Sequence, residues 1–167
     1  MERTLYSAAF CYILAHGGSA ADAAIAANAV LGVVEPMMNG IGGDLFVLYR
    51  EARTGRLTGL NASGPAPRRL SVGLLASRGI ERMADAGIHA VTVPGAVDGW
   101  ARIHERYGRL PWARLFDAAI AYAEQGFPLP EIVAELWDGA VKMGKAPAPS
   151  PAPIRPRRPT LPAPSNA

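Results

Sequence analysis

The sequence predicts an α+β chain, and three observations carry that prediction. An alanine-rich, capped helical run precedes Pro36, two short apolar strands flank a Thr54-Gly55 turn, and helical spacing recurs after residue 96. In chain order, Tyr6 to Ala15 is apolar and predicted helical, with Gly17-Gly18 as its C-terminal cap. Ser19 then opens a second helix, with Asp22 in the return position of a capping box, a shorter acid than the usual glutamate. From Ala20 to Val34 there is no proline, and Ala20, Ala21, Ala23, Ala24, Ala26, Ala27 and Ala29 dominate. Side chains this small let a neighbouring helix approach closely, so the helix is expected to be buried. Pro36 stops it, because the residue before a proline avoids the helical region. Gly40, Gly42 and Gly43 are expected to supply backbone conformations closed to other residues. Leu45–Arg50 and Arg56–Asn61 then read as a hairpin.

Beyond the hairpin, 79–86 is polar and without pattern, and Gly87 to Gly95 reads as a short buried strand ending in a Pro-Gly turn. A helix follows over Val97–Tyr107, with Val97, Trp100, Ile103 and Tyr107 on one face. Pro111 opens the next helix, which turns Leu115, Ala118, Ala119 and Tyr122 inward until Gly126 ends it. Glu131–Val141 is the last helix. From Ala146 onward the chain is Ala, Pro and Arg with little else, which predicts an extended, polyproline-like segment without a core. The expected organisation is a folded part over 1–141 and a disordered tail over 142–167. Pro153 to Arg158 fits a proline-rich ligand with a basic flank, so a partner-binding fragment is one reading of the chain.

Composition excludes several classes. The isoelectric point near 9.4 comes from the tail. Lys142, Lys145, Arg155, Arg157 and Arg158 lie there without an acid, and setting them aside from the 17 basic residues leaves 12 against 14 acidic ones. No basic face for nucleic acid remains. No stretch has the length and apolarity of a membrane span, and the N-terminus lacks a secretory signal pattern, so a cytoplasmic location is the default expectation. A lone Cys11 permits no internal disulfide and is expected to be a buried, inert thiol. His16, His89 and His104 are scattered without ligand spacing, so neither metal nor cofactor is implied, and His104 is expected in solvent beside Glu105 and Arg106. Asp98 and Glu105 are candidate paired acids, but their spacing does not make them converge. A phosphate-loop reading of Gly40-Ile41-Gly42-Gly43 fails twice. Leu45 replaces the third glycine, and the loop follows a helix and precedes a strand, the reverse of a dinucleotide site. A plain turn stays open.

Gly17-Gly18-Ser19-Ala20-Ala21-Asp22-Ala23-Ala24, then Val33-Val34-Glu35-Pro36, then Gly40-Ile41-Gly42-Gly43 followed by Phe46, resemble the start of a gamma-glutamyltransferase large subunit. The same family is called gamma-glutamyltranspeptidase or glutathione hydrolase and includes cephalosporin acylases. Val93-Pro94-Gly95, Tyr107-Gly108, Leu110-Pro111 and Ala123-Glu124-Gln125-Gly126-Phe127-Pro128 extend the resemblance from about Ala15 to the last helix. It implies part of an N-terminal-nucleophile hydrolase αββα sandwich, incomplete without a C-terminal portion. It also implies cleavage of gamma-glutamyl amides such as glutathione, with transfer of the glutamyl group to water or an amino acid. In such enzymes a threonine exposed by self-cleavage begins the small subunit and forms an acyl-enzyme. None of Thr4, Thr54, Thr58, Thr92 and Thr160 is followed by the family's Thr-His, so no catalytic residue is assigned and the missing small subunit is the implied partner. The resemblance also implies apolar sheet edges that such a small subunit would cover.

The most informative departure lies in Asn61-Ala62-Ser63-Gly64-Pro65-Ala66-Pro67. Many members carry an arginine here, in an Arg-Glu-x-Ala-Pro pattern, that pairs with the substrate α-carboxylate. Alignment on Ala66-Pro67 puts Ser63 at that position. A subgroup with Asn-x-Ser-Gly-Arg-Ala-Pro matches at Asn61, Ser63, Gly64, Ala66 and Pro67 but has arginine where this chain has Pro65. Asn61 and Ser63 are therefore the candidate substrate-binding residues, with Arg68 and Arg69 nearby as replacement donors. A guanidinium offers a carboxylate two parallel charged hydrogen bonds; a serine offers one neutral one. Two alternatives follow: a piece of a cephalosporin-acylase-like amidohydrolase, or a non-catalytic relic left by a frameshift near Val141–Lys145 or by truncation.

Overall fold

The computed structural model describes residues 3–83 and 87–144. The tail expected over 142–167 falls, from residue 145 onward, outside the described residues. The described residues divide into two compact units, one of residues 3–40 and 102–144 and another of residues 41–83 and 87–101.

In the first unit, α1 (Arg3–Ala15) ends as its glycines require. Gly17 sits at φ +86°, a region that L side chains avoid. Its N–H donates to the Leu14 carbonyl, and the Gly18 N–H to that of Ile13 at 3.0 Å, which satisfies two orphan carbonyls of the last turn. Ser19 then caps α2 (Ala20–Val34). Its hydroxyl accepts the Asp22 N–H at 3.1 Å, while Asp22 Oδ2 accepts the Ser19 N–H at 2.8 Å. The predicted capping box is present with its shorter acid. Helix α2 buries Ala21, Ala23, Ile25, Ala26, Ala29, Val30 and Val34, as its small side chains led one to expect. Helix α1 packs against it with Ala9 and Ile13 buried.

The other face of α2 receives a 3-10 turn, Trp112–Phe116, and α5 (Asp117–Gln125). Leu115, Ala118, Ala119 and Tyr122 are buried, as their spacing predicts. Pro111 does not occupy the first position of α5; it precedes the 3-10 turn, whose tighter winding delays the α-helix to Asp117. Full burial of side chains such as Leu115 and Val30 contributes about 1.5–3 kcal/mol each. Helix α6 (Glu131–Lys142) buries Val133 and Ala140, two turns apart on one face.

Asp22 does more than cap. Its Oδ2 also accepts the N–H groups of Arg109 at 2.8 Å and Leu110 at 3.3 Å, so one carboxylate fixes both the α1–α2 turn and the turn before Pro111. The residue is fully buried, and its Oδ1 has no hydrogen bond. Burial alone would push this carboxyl up. The N–H groups of Ser19, Arg109 and Leu110, with the Ser19 hydroxyl, outweigh burial and hold it below its ordinary 3.8. His104 is not the solvated side chain expected from its neighbours. Its Nε2 bonds the Leu110 carbonyl at 2.9 Å, lies 3.6 Å from Asp22 Oδ1, and the ring meets Trp112 edge-on. Cys11 is exposed rather than buried, because the apolar run of α1 turns only one face, through Ala9 and Ile13, to the core.

In the second unit, β1 (Leu45–Arg50) and β2 (Leu57–Ala62) pair antiparallel, from Leu45 opposite Ala62 to Arg50 opposite Leu57. Gly55, at φ +72°, closes the turn by donating to the Glu51 carbonyl. Phe46, Leu48 and Leu57 share one face and are 68 %, 79 % and 64 % exposed. Gly40, Gly42 and Gly43 do not use a positive φ, against expectation, and nothing lies within 4 Å of a Cβ placed at Gly40 or Gly42. A short helix, α3 (Val72–Ser77), was not legible in the sequence; Ser71 caps it through the Leu74 N–H, and it buries no side chain. The strand expected over Gly87–Gly95 is a 3-10 turn, Ile88–Ala90, followed by extended chain. Its apolar residues Ile88, Val91 and Val93 are exposed among the described residues.

Helix α4 (Ala96–Tyr107) has its first half in this unit and its second half in the other. Its buried stripe is Ala96, Trp100 and Ile103, so Val97 falls off the face by one position and is exposed.

Asp22→Ala is expected to cost roughly 3 kcal/mol, because it leaves one buried and two part-buried backbone N–H groups without this acceptor. Urea unfolding measures it, and a loss below about 1 kcal/mol would contradict the network. The sign of the pH effect follows from the lowered carboxyl. Its stabilisation is present in full above the unfolded value of 3.8 and drains away as pH falls through the folded one. The variant should lack that part of the acid dependence.

Candidate functional site

The loop that carries Asn61 and Ser63 is built where three backbone segments meet inside the second unit. Asn61 is the penultimate residue of β2, and its Oδ1 accepts the Ser63 N–H at 2.9 Å. That side-chain turn ends the ladder and bends the chain out of the strand. The next N–H, from Gly64, donates to Asp44 Oδ1 at 3.1 Å, and the Thr92 hydroxyl donates to the same oxygen at 3.3 Å. The Val93 N–H donates to the Pro65 carbonyl at 3.0 Å. On the other side, the Gly43 carbonyl accepts the N–H groups of Gly95 and Ala96, both at 3.0 Å.

Two glycines are needed because these backbones touch. A Cβ at Gly64 would lie 1.4 Å from the Val93 carbonyl oxygen, and one at Gly95 would lie 2.1 Å from that of Ala62. Neither clash can be relieved by rotating a side chain. Residues 43–44, 62–65 and 92–96 therefore form a knot held by backbone bonds and by one carboxylate, that of Asp44.

The two predicted residues are thus brought together by a direct hydrogen bond, and both are exposed. Ser63 supplies a neutral hydroxyl, Pro65 supplies no donor, and Arg68 and Arg69 are exposed in the turn that follows. The charged side chain bonded to the loop is the acid Asp44. Asp44 and Thr92 were missed from sequence, because they lie 20 and 28 residues from Gly64 and no local spacing connects them. Among the described residues no group of three or more His, Cys, Asp or Glu side chains is placed to hold a metal ion. No helix among them is long and apolar enough to cross a membrane.

The chain is a partial α+β portion of an N-terminal-nucleophile hydrolase, and comparison with solved structures bears this out. A cephalosporin acylase from Bacillus halodurans superposes with a TM-score of 0.78 at 42 % identity, over 84 % of this chain and 26 % of the acylase. A gamma-glutamyltranspeptidase from Helicobacter pylori superposes with a TM-score of 0.75 at 30 % identity, over 83 % of this chain and 40 % of that one. Residues 7–151 match the family model described as Gamma-glutamyltranspeptidase, and the chain belongs to that family. Glutathione hydrolase 5 proenzyme of Mus musculus is 37 % identical over 129 residues, which is 77 % of this chain and 22 % of the mouse protein. The chain spans about a fifth of the length of the curated relatives it matches.

Gly64→Ala is expected to destabilise the second unit by about 3 kcal/mol, because the Val93 backbone must move. Gly42→Ala meets nothing within 4 Å and should change stability by less than about 0.5 kcal/mol. Thermal unfolding of the two variants side by side checks the contrast; equal stabilities would contradict the close approach.

Proposed function

We propose that this chain is the N-terminal part of the large subunit of an amidohydrolase that cleaves gamma-glutamyl amides such as glutathione and transfers the glutamyl group to water or an amino acid. The observation that carries the reading is the anchored loop at Asn61–Pro65, in the segment that the family resemblance assigns to the substrate carboxylate. Asn61 and Ser63 contact the substrate; Ser63 donates its hydroxyl and Asn61 shapes the turn that presents it. The nucleophilic threonine and its amine base come from a small subunit, which is the partner of this chain. Covalent catalysis needs that nucleophile, so the chain by itself binds without turnover.

A cephalosporin-acylase-like specificity is the second reading. It is favoured by the higher identity to the acylase, 42 % against 30 %, and by the neutral Ser63 and Pro65.

A hybrid tests both readings. Residues 7–144 replace the aligned quarter of the Bacillus halodurans acylase, and hydrolysis of gamma-glutamyl-p-nitroanilide and glutaryl-p-nitroanilide is followed. The hybrid is expected to mature and release nitroaniline, while the 167-residue chain alone releases none. Ser63→Arg is expected to lower KM by about tenfold, through one charged bidentate pair in place of a neutral bond. An unchanged KM would remove position 63 from the substrate. Turnover by the isolated chain that survives repurification and is lost on denaturation would sink the two-part reading. Hydrolysis of the glutaryl amide alone would select the acylase-like specificity.

A further inference from the structure

Three segments meet at the candidate loop, and the side chain that bridges them is Asp44. One of its oxygens, Oδ1, receives both the Gly64 N–H at 3.1 Å and the Thr92 hydroxyl at 3.3 Å. Asp44 follows Gly43, whose carbonyl receives the N–H groups of Gly95 and Ala96. The backbone around it is already in contact, with no room for a Cβ at Gly64 or Gly95. Such a knot fixes where residues 62–65 pass, but it does not fix the peptide plane between Ser63 and Gly64. That plane is set by the Gly64 N–H bond to Asp44, while the Ser63 N–H bond to Asn61 sets the plane before it. A hydrogen bond from a backbone N–H to an ionised carboxylate is stronger than one between neutral groups. Asp44 is therefore the restraint that acts on the plane after Ser63.

We infer that Asp44 is a positioning residue for the substrate-binding loop: by holding the Gly64 N–H, it presets the orientation of Ser63 and so sets affinity for the acyl group. The inference rests on the placement of Ser63 at the substrate. It adds a carboxylate that works through the loop rather than on the substrate. Thr92 shares the same oxygen and braces the carboxylate from the third segment. Removing Asp44 frees the loop to sample other orientations, and the bound geometry must then be selected from them. The cost falls on KM. Once substrate is bound and ordered, the chemical step proceeds from the same geometry, so kcat changes little.

Asp44→Ala, Asp44→Asn and Thr92→Val test this, with Ser63→Ala beside them. Hydrogen exchange at the Gly64 amide is measured on the full chain, and kinetic constants are measured in the hybrid enzyme. Asp44→Ala is expected to speed Gly64 exchange and to raise KM, each by about tenfold, with kcat within about twofold. Asp44→Asn keeps an acceptor oxygen at Oδ1 and should restore KM to within about threefold of the parent. Thr92→Val should fall between them. If Asp44→Ala lowers kcat or the yield of mature enzyme and leaves KM unchanged, Asp44 is only structural and the inference fails. Unaltered Gly64 exchange in Asp44→Ala overturns it as well. Ser63→Ala reports separately on the reading beneath it. An unchanged KM there, with a raised KM in Asp44→Ala, removes Ser63 from the substrate and overturns the inference as stated, because Asp44 then acts through another part of the loop.

Discussion

The first unit depends on one buried carboxylate. Asp22 sits at the third position of α2 with no solvent exposure, and a charge in that place must be satisfied by hydrogen bonds. The chain supplies them mainly from backbone N–H groups: Ser19 from the α1–α2 turn, and Arg109 and Leu110 from a turn 87 and 88 residues on. The positive end of the α2 dipole adds a favourable field. These donors explain why Asp rather than Glu occupies the return position of the capping box. A shorter side chain keeps its oxygens close to the helix start, where Oδ2 reaches both turns. They also explain the setting of His104, whose Nε2 is taken by the Leu110 carbonyl, beside the second Asp22 oxygen.

The second unit solves a different problem, with no buried charge among its described residues. Its segments approach so closely that glycine is the tolerated residue at positions 64 and 95, and backbone bonds provide the cohesion. Tight backbone contact gives precise placement at low side-chain entropy, which suits the loop proposed to present small polar groups. Asn61 and Asp44 then orient two consecutive N–H groups in turn. An arginine fork would tolerate some looseness, since it brings its own charge and reach. A serine hydroxyl has neither, so the loop that carries Ser63 has more to gain from being held.

Local chemistry made much of this legible. The capping box at Ser19 and Asp22, the glycine end of α1, the hairpin around Gly55 and the inward face of α5 are all set by residues within a turn of each other. Strand β2 lies one residue later than its apolar pattern suggests, and α6 is one residue longer. What failed was whatever depended on distant partners. The apolar run at Gly87–Gly95 suggested a buried strand, yet its Val93 N–H is used by Pro65 and no strand pairs with it among the described residues. His104 looked solvated beside Glu105 and Arg106, because nothing nearby in sequence announces Asp22 and Leu110. The two proposed site residues, Asn61 and Ser63, were suggested only by a family pattern. The groups that hold them, Asp44 and Thr92, were not legible at all.

The hairpin shows why the family assignment and the physics of the chain belong together. A two-stranded sheet is marginal in water unless a hydrophobic face is covered. Here Phe46, Leu48 and Leu57 line one face and stay largely exposed. Alternation in β1 is apolar on both faces apart from Arg50, the pattern of a strand buried on two sides rather than one. The relatives contain roughly four to five times the length of the matched segment, which is ample chain to supply that cover. The apolar surface of β1 fits a strand that is covered on both faces when further layers pack on it. Cover of this kind would also matter for the reading of Ser63 proposed above. A neutral hydroxyl such as that of Ser63 gains strength as water is excluded, whereas in open solvent it competes poorly with water for a carboxylate.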